Sequence, residues 1–188
     1  IGTGIATSLV TREQGLVRYS WDSMGDTGQI IVDPSGQAEC SCGGRGCLEA
    51  VAAAPAIRRR ALAEVQRGRA TLLARVQADR GEQEAGDVTE AARAGDAVAI
   101  DILEQAGHYL GVALTSYLHI SRPTRIVLAG GVAQAGDLLI RPIRRTLERL
   151  ASPGYLGHLE GIEITVLGQE CAAVGCASLM LDPGILAG

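Results

Sequence analysis

A chain of 188 residues, 47% apolar and 20% charged, can build one well-buried domain with a small subdomain at most, and is too short for two domains of ordinary size. All 17 basic residues are arginine, so a Walker-type lysine, a Schiff-base lysine and a lysine general base are excluded within this chain. The net charge of -4 leaves no basic stripe for nucleic acid, no apolar run reaches the length of a membrane span, and the opening residues show no signal-peptide pattern.

The first residue is Ile and not Met, and further chain is expected upstream. Ile5 to Val10 is an apolar, β-rich run, "TREQG" has the composition of a turn and "LVRYS" returns, which predicts a hairpin. Ahead of it Gly2 and Gly4 flank Thr3. Such a stretch can bring backbone N–H groups close to a phosphate, and a plain turn is an equal reading. "QIIVDP" predicts a short strand stopped by Pro34, and "SGQAE" a loop.

A helix is predicted from about Leu48, broken or restarted at Pro55 and continuing through "AIRRRALAEVQ". The stretch from Arg67 to Gly86 is polar and without clear period. "GDVTEAARAGD" predicts a short helix between glycines, and Asp96 then caps a long amphipathic helix from Ala97 to Ile120. His108 and His119, on that helix and near its end, read as packing or surface residues. Arg58, Arg59 and Arg60, with Arg144, Arg145 and Arg149 further on, fall at helical positions and read as solvated faces, with Arg141 off that pattern.

Arg125 to Leu128 predicts a strand, Ala129-Gly130-Gly131 a tight turn, and a helix follows from about Asp137. "IEITVLG" and "CAAVGCASLML" repeat the plan. Strand–turn–helix units in series predict a mostly parallel α/β sheet. Ligands of such folds bind at the carboxyl ends of the strands, which is where Gly130 and Gly131 fall. Cys171 and Cys176, five apart on the last helix, are expected in the core.

Cys40-x-Cys42-x4-Cys47, interleaved with Gly43, Gly44 and Gly46, is a metal signal. The glycines let the backbone curl so that thiolates converge, and inert cysteines are the alternative. There is no Cys-x-x-Cys redox pair and no Gly-x-Ser-x-Gly elbow. Five cysteines fit a reducing cytoplasm better than a disulfide scaffold. Glu49 stands two residues after the cluster, where a plain surface or capping carboxylate is the ordinary reading.

"GDTGQIIVDPSGQAECSCGGRGCLEA" resembles the signature of the ROK family, the bacterial sugar kinases and sugar-responsive repressors. "IGTGIA" resembles that family's second phosphate motif, and "GDVTEAARAGD" and "IVLAGGVAQAGDLL" are similar to its pattern. The resemblance implies an α/β, actin-like ATPase (ribonuclease H-like) fold of two lobes with the active site between them. Residues 1–188 would form the second lobe, with a cysteine-knuckle loop at 25–50 and a helical portion at about 48–120. The first lobe, with its Asp-Gly phosphate loop and catalytic aspartate, is absent from the sequence, so no catalytic base is expected here.

The same resemblance implies roles by position. Gly2, Thr3 and Gly4 would meet the phosphates of ATP, Gly130 and Gly131 its adenosine, and Glu49 the sugar. The family's Gly-Glu-x-Gly-His supplies a sugar-binding Glu and a His that ligates zinc and touches the sugar. Those positions are Asp26 and Gln29 here. An amide oxygen is a poorer zinc ligand than imidazole. Beside Cys40, Cys42 and Cys47 the readings are therefore Gln29 or a water as fourth ligand, another histidine such as His158, or free thiols. Asp26 is a methylene shorter than Glu, which stretches a hydroxyl contact and puts the usual glucose-type substrate in question. The implied function is an ATP-dependent sugar kinase using magnesium and a structural zinc. The alternative is the sugar-sensing domain of a repressor without kinase activity. The implied partners are a sugar, ATP and further copies of the chain, with no nucleic-acid contact by this lobe and no membrane.

Overall fold

The computed structural model describes residues 1–17 and 26–181. A short hairpin, β1 (Leu9–Thr11) and β2 (Gly15–Val17), is followed by the cysteine loop. Five helices come next: α1 (Leu48–Ala52), α2 (Ala54–Gln66), α3 (Leu73–Arg80), α4 (Ala85–Arg93) and α5 (Ala97–Ser121). Strand β3 (Arg125–Leu128), helices α6 (Asp137–Leu150) and α7 (Pro153–Leu156), strand β4 (Gly161–Ile164) and helix α8 (Cys171–Leu181) complete the order.

Helix α5 is the spine. Val98, Ile102, Leu103, Ala106, Leu110 and Leu114 are buried at three- and four-residue steps, so one apolar stripe runs along its core face. Asp96 caps it as expected, its Oδ1 accepting from the Ala99 N–H at 2.9 Å. The helix ends at Arg122, in the left-handed region at φ 48°, immediately before Pro123. Helices α1, α2 and α4 pack around this spine, and α6 makes the most extensive contact with it. That contact depends on two missing side chains. A Cβ on Gly107 would lie 2.5 Å from Pro142 Cγ, and one on Gly111 2.5 Å from Thr146 Cβ.

The break between α1 and α2 comes at Ala53, whose extended backbone (ψ 165°) cannot continue a helix, while Pro55 fits the first turn of α2 because no N–H is needed there. Strands β3 and β4 are parallel, Arg125 opposite Gly161 and Leu128 opposite Ile164, with α6 and α7 between them in the chain. The class is mixed α/β, though the described strands form two separate pairs and not one mostly parallel sheet.

Several expectations change. The first hairpin strand covers only Leu9–Thr11, because Ile5 is buried as a loop residue whose N–H is taken by a side chain. Its return pairs over Gly15–Val17, and residues 18–20 lie outside the described ones. "QIIVDP" is no strand. Thr27–Gln29 form one 3-10 turn, and Ile31 makes an isolated bridge to Cys47, since the curled cysteine loop gives it no straight partner. The polar stretch contains α3, and α6 runs through Pro142, so Arg141 is helical too. Cys171 is only half-buried and Cys176 exposed. Among the described residues, α8 packs extensively only on the turn just before it, and an apolar helix is buried only where something covers it. No helix there is long and apolar enough to cross a membrane.

Candidate functional site

The cysteine loop is shaped by its own backbone. Cys40 N–H donates to Gly44 O and Gly43 N–H to Cys40 O, both at 3.0 Å, while Gly46 N–H reaches Ala38 O at 2.8 Å. Gly43 and Gly46 adopt φ of 88° and 74°, which side chains disfavour. The result brings the three sulfurs of Cys40, Cys42 and Cys47 within 4.8 Å of one another. Cys42 and Cys47 are 3.7 Å apart. A zinc–sulfur bond of about 2.3 Å gives a tetrahedral S···S edge of about 3.8 Å, which the Cys42–Cys47 pair matches.

Burial, then the neighbouring Cys42 and Cys40, pushes the Cys47 thiol up to about 12. The backbone N–H of Cys42 is the main cause that lowers the Cys40 thiol below its ordinary value. Three thiolates this close repel one another unless a cation sits among them. A bound divalent ion deprotonates the thiols it ligates. No histidine joins the cluster among the described residues. His158 is exposed, His119 accepts from the Ser152 N–H at 3.2 Å, and His108 Nδ1 lies 3.1 Å from Thr146 Oγ1.

Cys47 is extended, and α1 starts directly after it, which projects Glu49 from the first turn. Glu49 is half-buried. Its Oε2 accepts from the Ile5 N–H at 3.0 Å and its Oε1 from Ser41 Oγ at 3.3 Å. A Cβ on Gly4 would come within 2.6 Å of Oε2, and one on Gly28 within 3.4 Å. At Gly28 the backbone leaves no room either, since a Cβ there would lie 2.4 Å from Ile5 O, so the carboxylate, the opening loop and this turn are closely packed. A cavity of about 320 Å³ follows, lined in part by Thr3, Gly4, Cys40, Ser41, Glu49 and Arg59.

The opening loop also touches the second glycine turn. The Ile1 nitrogen donates to Ala129 O at 2.6 Å, and Val132 N–H donates to Ile1 O at 3.2 Å. Gly130, at φ 95°, lets Ile1 O approach to 2.4 Å of where its Cβ would be. Ala54 N–H holds Gly2 O at 2.9 Å, tying the loop to α2 as well. Residues 1–4, Glu49 and the Gly130-Gly131 turn, far apart in sequence, thus form one neighbourhood.

Asp26 and Gln29 do not line that cavity. Asp26 is exposed and begins the 3-10 turn without a side-chain cap, and its carbonyl accepts from the Gln29 N–H at 2.9 Å. Ser41 and Arg59, which do line it, carried no sequence signal. Ser41 is one polar residue in a loop, and Arg59 is one of three identical neighbours on a helix.

A model of the ROK family matches residues 1–183. The chain is 36% identical over 176 residues to a glucokinase of Halalkalibacterium halodurans, covering 93% of this chain and 52% of that protein. It is 31% identical over 158 residues to the DNA-binding transcriptional dual regulator NagC of Escherichia coli, covering 84% of this chain and 37% of the regulator. Among solved structures, a ROK family glucokinase from Streptomyces griseus in complex with glucose and AMPPNP matches with a TM-score of 0.80 and 28% identity, over 95% of this chain and 58% of that one. The chain spans about half the length of the curated relatives it matches, 52% and 56% of two glucokinases.

Proposed function

The chain belongs to the ROK family, and on that premise we propose that it is the second, sugar- and nucleotide-binding lobe of an ATP-dependent sugar kinase. The observation that carries this reading is the shared cavity, where the Thr3-Gly4 loop meets Glu49. A sugar hydroxyl and a terminal phosphate have to meet in one such space. The half-length coverage of the relatives supports a single lobe, residues 1–188 with the knuckle loop at 25–50.

In this reading a sugar hydroxyl attacks the γ-phosphorus of ATP, the bond to the β–γ bridging oxygen breaks, and ADP leaves. In the same reading the hydroxyl proton passes to an aspartate of the other lobe. Backbone N–H groups of Thr3 and Gly4 hold phosphate oxygens, while the Gly2 N–H donates to Gly4 O at 2.9 Å and shapes the loop. Gly131, where a Cβ would meet nothing within 4 Å, offers adenosine a bare backbone face, and Gly130 packs against Ile1 to hold that turn. Glu49 keeps a lone pair free on each oxygen for sugar hydroxyls beyond its bonds to Ile5 and Ser41. Asp26 and Gln29 remain proposed sugar contacts from the neighbouring turn. Magnesium, bound with ATP, supplies charge neutralisation at the phosphates. The reading extends to self-association, a cytoplasmic location and no nucleic-acid contact by this lobe.

Cys40, Cys42 and Cys47 would hold zinc, which cross-links the loop presenting Glu49. Metal analysis of protein purified under reducing conditions is expected to find one zinc per chain, lost in Cys42→Ser. Three freely titrating thiols with no metal would refute the zinc assignment. Glu49→Gln keeps the size of the side chain and removes the charge, and it is expected to weaken sugar binding by about tenfold or more while leaving nucleotide affinity unchanged. Calorimetric titration of both ligands checks this.

The similarity to NagC favours one alternative, the sugar-sensing domain of a ROK regulator without kinase activity. Expression together with the reading frame preceding the first codon separates the two. Phosphorylation of a hexose by ATP is the kinase outcome, and sugar-modulated DNA binding without turnover is the regulator outcome.

A further inference from the structure

The three consecutive arginines of α2 go three ways. Arg58 pairs with Glu84 at 3.7 Å, and Arg60 lies over the Tyr109 ring, 5.6 Å from its centroid. Arg59 goes to the cavity wall, where its Nη2 donates to Ala50 O at 2.7 Å. The charges of that wall are unequally matched. Glu39 is paired with Arg45 at 3.0 Å, while Glu49 meets neutral donors, the Ile5 N–H and Ser41 Oγ, and is left for the sugar. Among the described residues, Arg59 has a neutral carbonyl and no carboxylate, and the Thr3 and Gly4 N–H groups donate to no protein acceptor. A positive guanidinium and free backbone donors around one cavity are the complement of an oxyanion.

We propose that Arg59 binds the terminal phosphate of a nucleoside triphosphate in this cavity, beside the sugar held by Glu49. This rests on the nucleotide reading given above. The chain has no lysine, so the cation that meets the phosphate from this side is an arginine, whose fork of N–H donors matches two phosphate oxygens at once. The bond to Ala50 O fixes the side chain in place before the nucleotide arrives, and the remaining N–H groups are left for it.

The test is calorimetric titration of the full chain with adenosine and with magnesium AMPPNP, on wild type, Arg59→Gln and Arg59→Lys, with unfolding midpoints to report on the fold. Wild type is expected to bind AMPPNP more tightly than adenosine. Arg59→Gln is expected to lose about tenfold for AMPPNP and less than about twofold for adenosine, with Arg59→Lys in between. Unchanged AMPPNP affinity in Arg59→Gln overturns the proposal, as does an equal loss for both ligands. Wild type binding both ligands equally overturns the phosphate site and leaves the nucleotide reading standing. Wild type binding neither overturns the nucleotide reading, and the role of Arg59 with it.

Discussion

Gly46→Ala is expected to destabilise the protein by about 3–5 kcal/mol, with loss of metal from the cysteine loop, from strain and overpacking together. Gly46 sits at φ 74°, and a Cβ there would lie 2.1 Å from Asp33 O and 3.1 Å from Asp33 C. The obstacle is backbone and has nowhere to go. Val32 and Asp33 donate their N–H groups to Gly46 O at 3.0 and 3.1 Å, so moving one strand of the loop breaks its bonds to the other. The next residue is Cys47, and any shift carries its sulfur away from Cys42. Gly43→Ala is the control. Its φ of 88° is equally unfavourable to a side chain, but its Cβ would meet nothing within 4 Å. It should cost about 1–2 kcal/mol from the left-handed backbone alone. Denaturant unfolding of both variants, with zinc content measured alongside, checks the difference. Equal losses would show that the contact with Asp33 is not what holds the loop.

Asp96→Ala should cost about 2–4 kcal/mol, more than an ordinary helix cap. The carboxylate does two jobs. Oδ1 accepts from the Ala99 N–H at 2.9 Å and starts α5, while Oδ2 accepts from the Leu72 N–H at 2.5 Å and Thr71 Oγ at 2.9 Å, docking the start of α3. Truncation leaves donors from two elements without partners. Burial pushes this carboxyl up, but the hydrogen bonds from Ala99, Leu72 and Thr71 together outweigh it and hold it below the ordinary carboxylate value. The sign follows. A lowered folded-state pKa means the contribution is complete above the unfolded value of about 3.9 and is lost as pH falls through the folded value. Asp96→Asn keeps an oxygen for Ala99 but turns an amide donor toward the Leu72 N–H. It should lose part of the stability at neutral pH and flatten the decline below about pH 4. Unfolding midpoints of wild type and Asp96→Asn from about pH 2 to pH 7, a range that extends below the ordinary carboxylate value where this carboxyl titrates, measure it. Parallel curves would remove Asp96 as a source of acid sensitivity.

What was legible in the sequence is what a few adjacent residues dictate. The spacing of Cys40, Cys42 and Cys47 among glycines implied a curled, thiol-converging loop, and the loop is curled that way. Asp96 before an apolar period implied a capped helix, and Pro123 with the Ala129-Gly130-Gly131 turn bracketed a strand. The family was legible in the same local motifs. Caps, turns and helical periods depend on φ, on hydrogen bonds a few residues away and on one-dimensional periodicity, all written within a short window.

Only the tertiary structure decided which of these pieces meet. "QIIVDP" has strand composition, but strands need a partner at the right distance and direction, and the cysteine loop offered a single bridge. Cys171 and Cys176 sit in an apolar helix, but burial is a property of a neighbour and α8 has little around it among the described residues. Arg58, Arg59 and Arg60 are identical in the sequence. A turn of about 100° per residue sends one to Glu84, one to the cavity and one to Tyr109. The opening loop reaches the cavity wall held at three points, where Ile1 bonds Ala129, Ile5 bonds Glu49 and Ala54 bonds Gly2. Each of those contacts joins residues tens of positions apart or more, and their closure depends on how the helices pack around α5, which no local window contains.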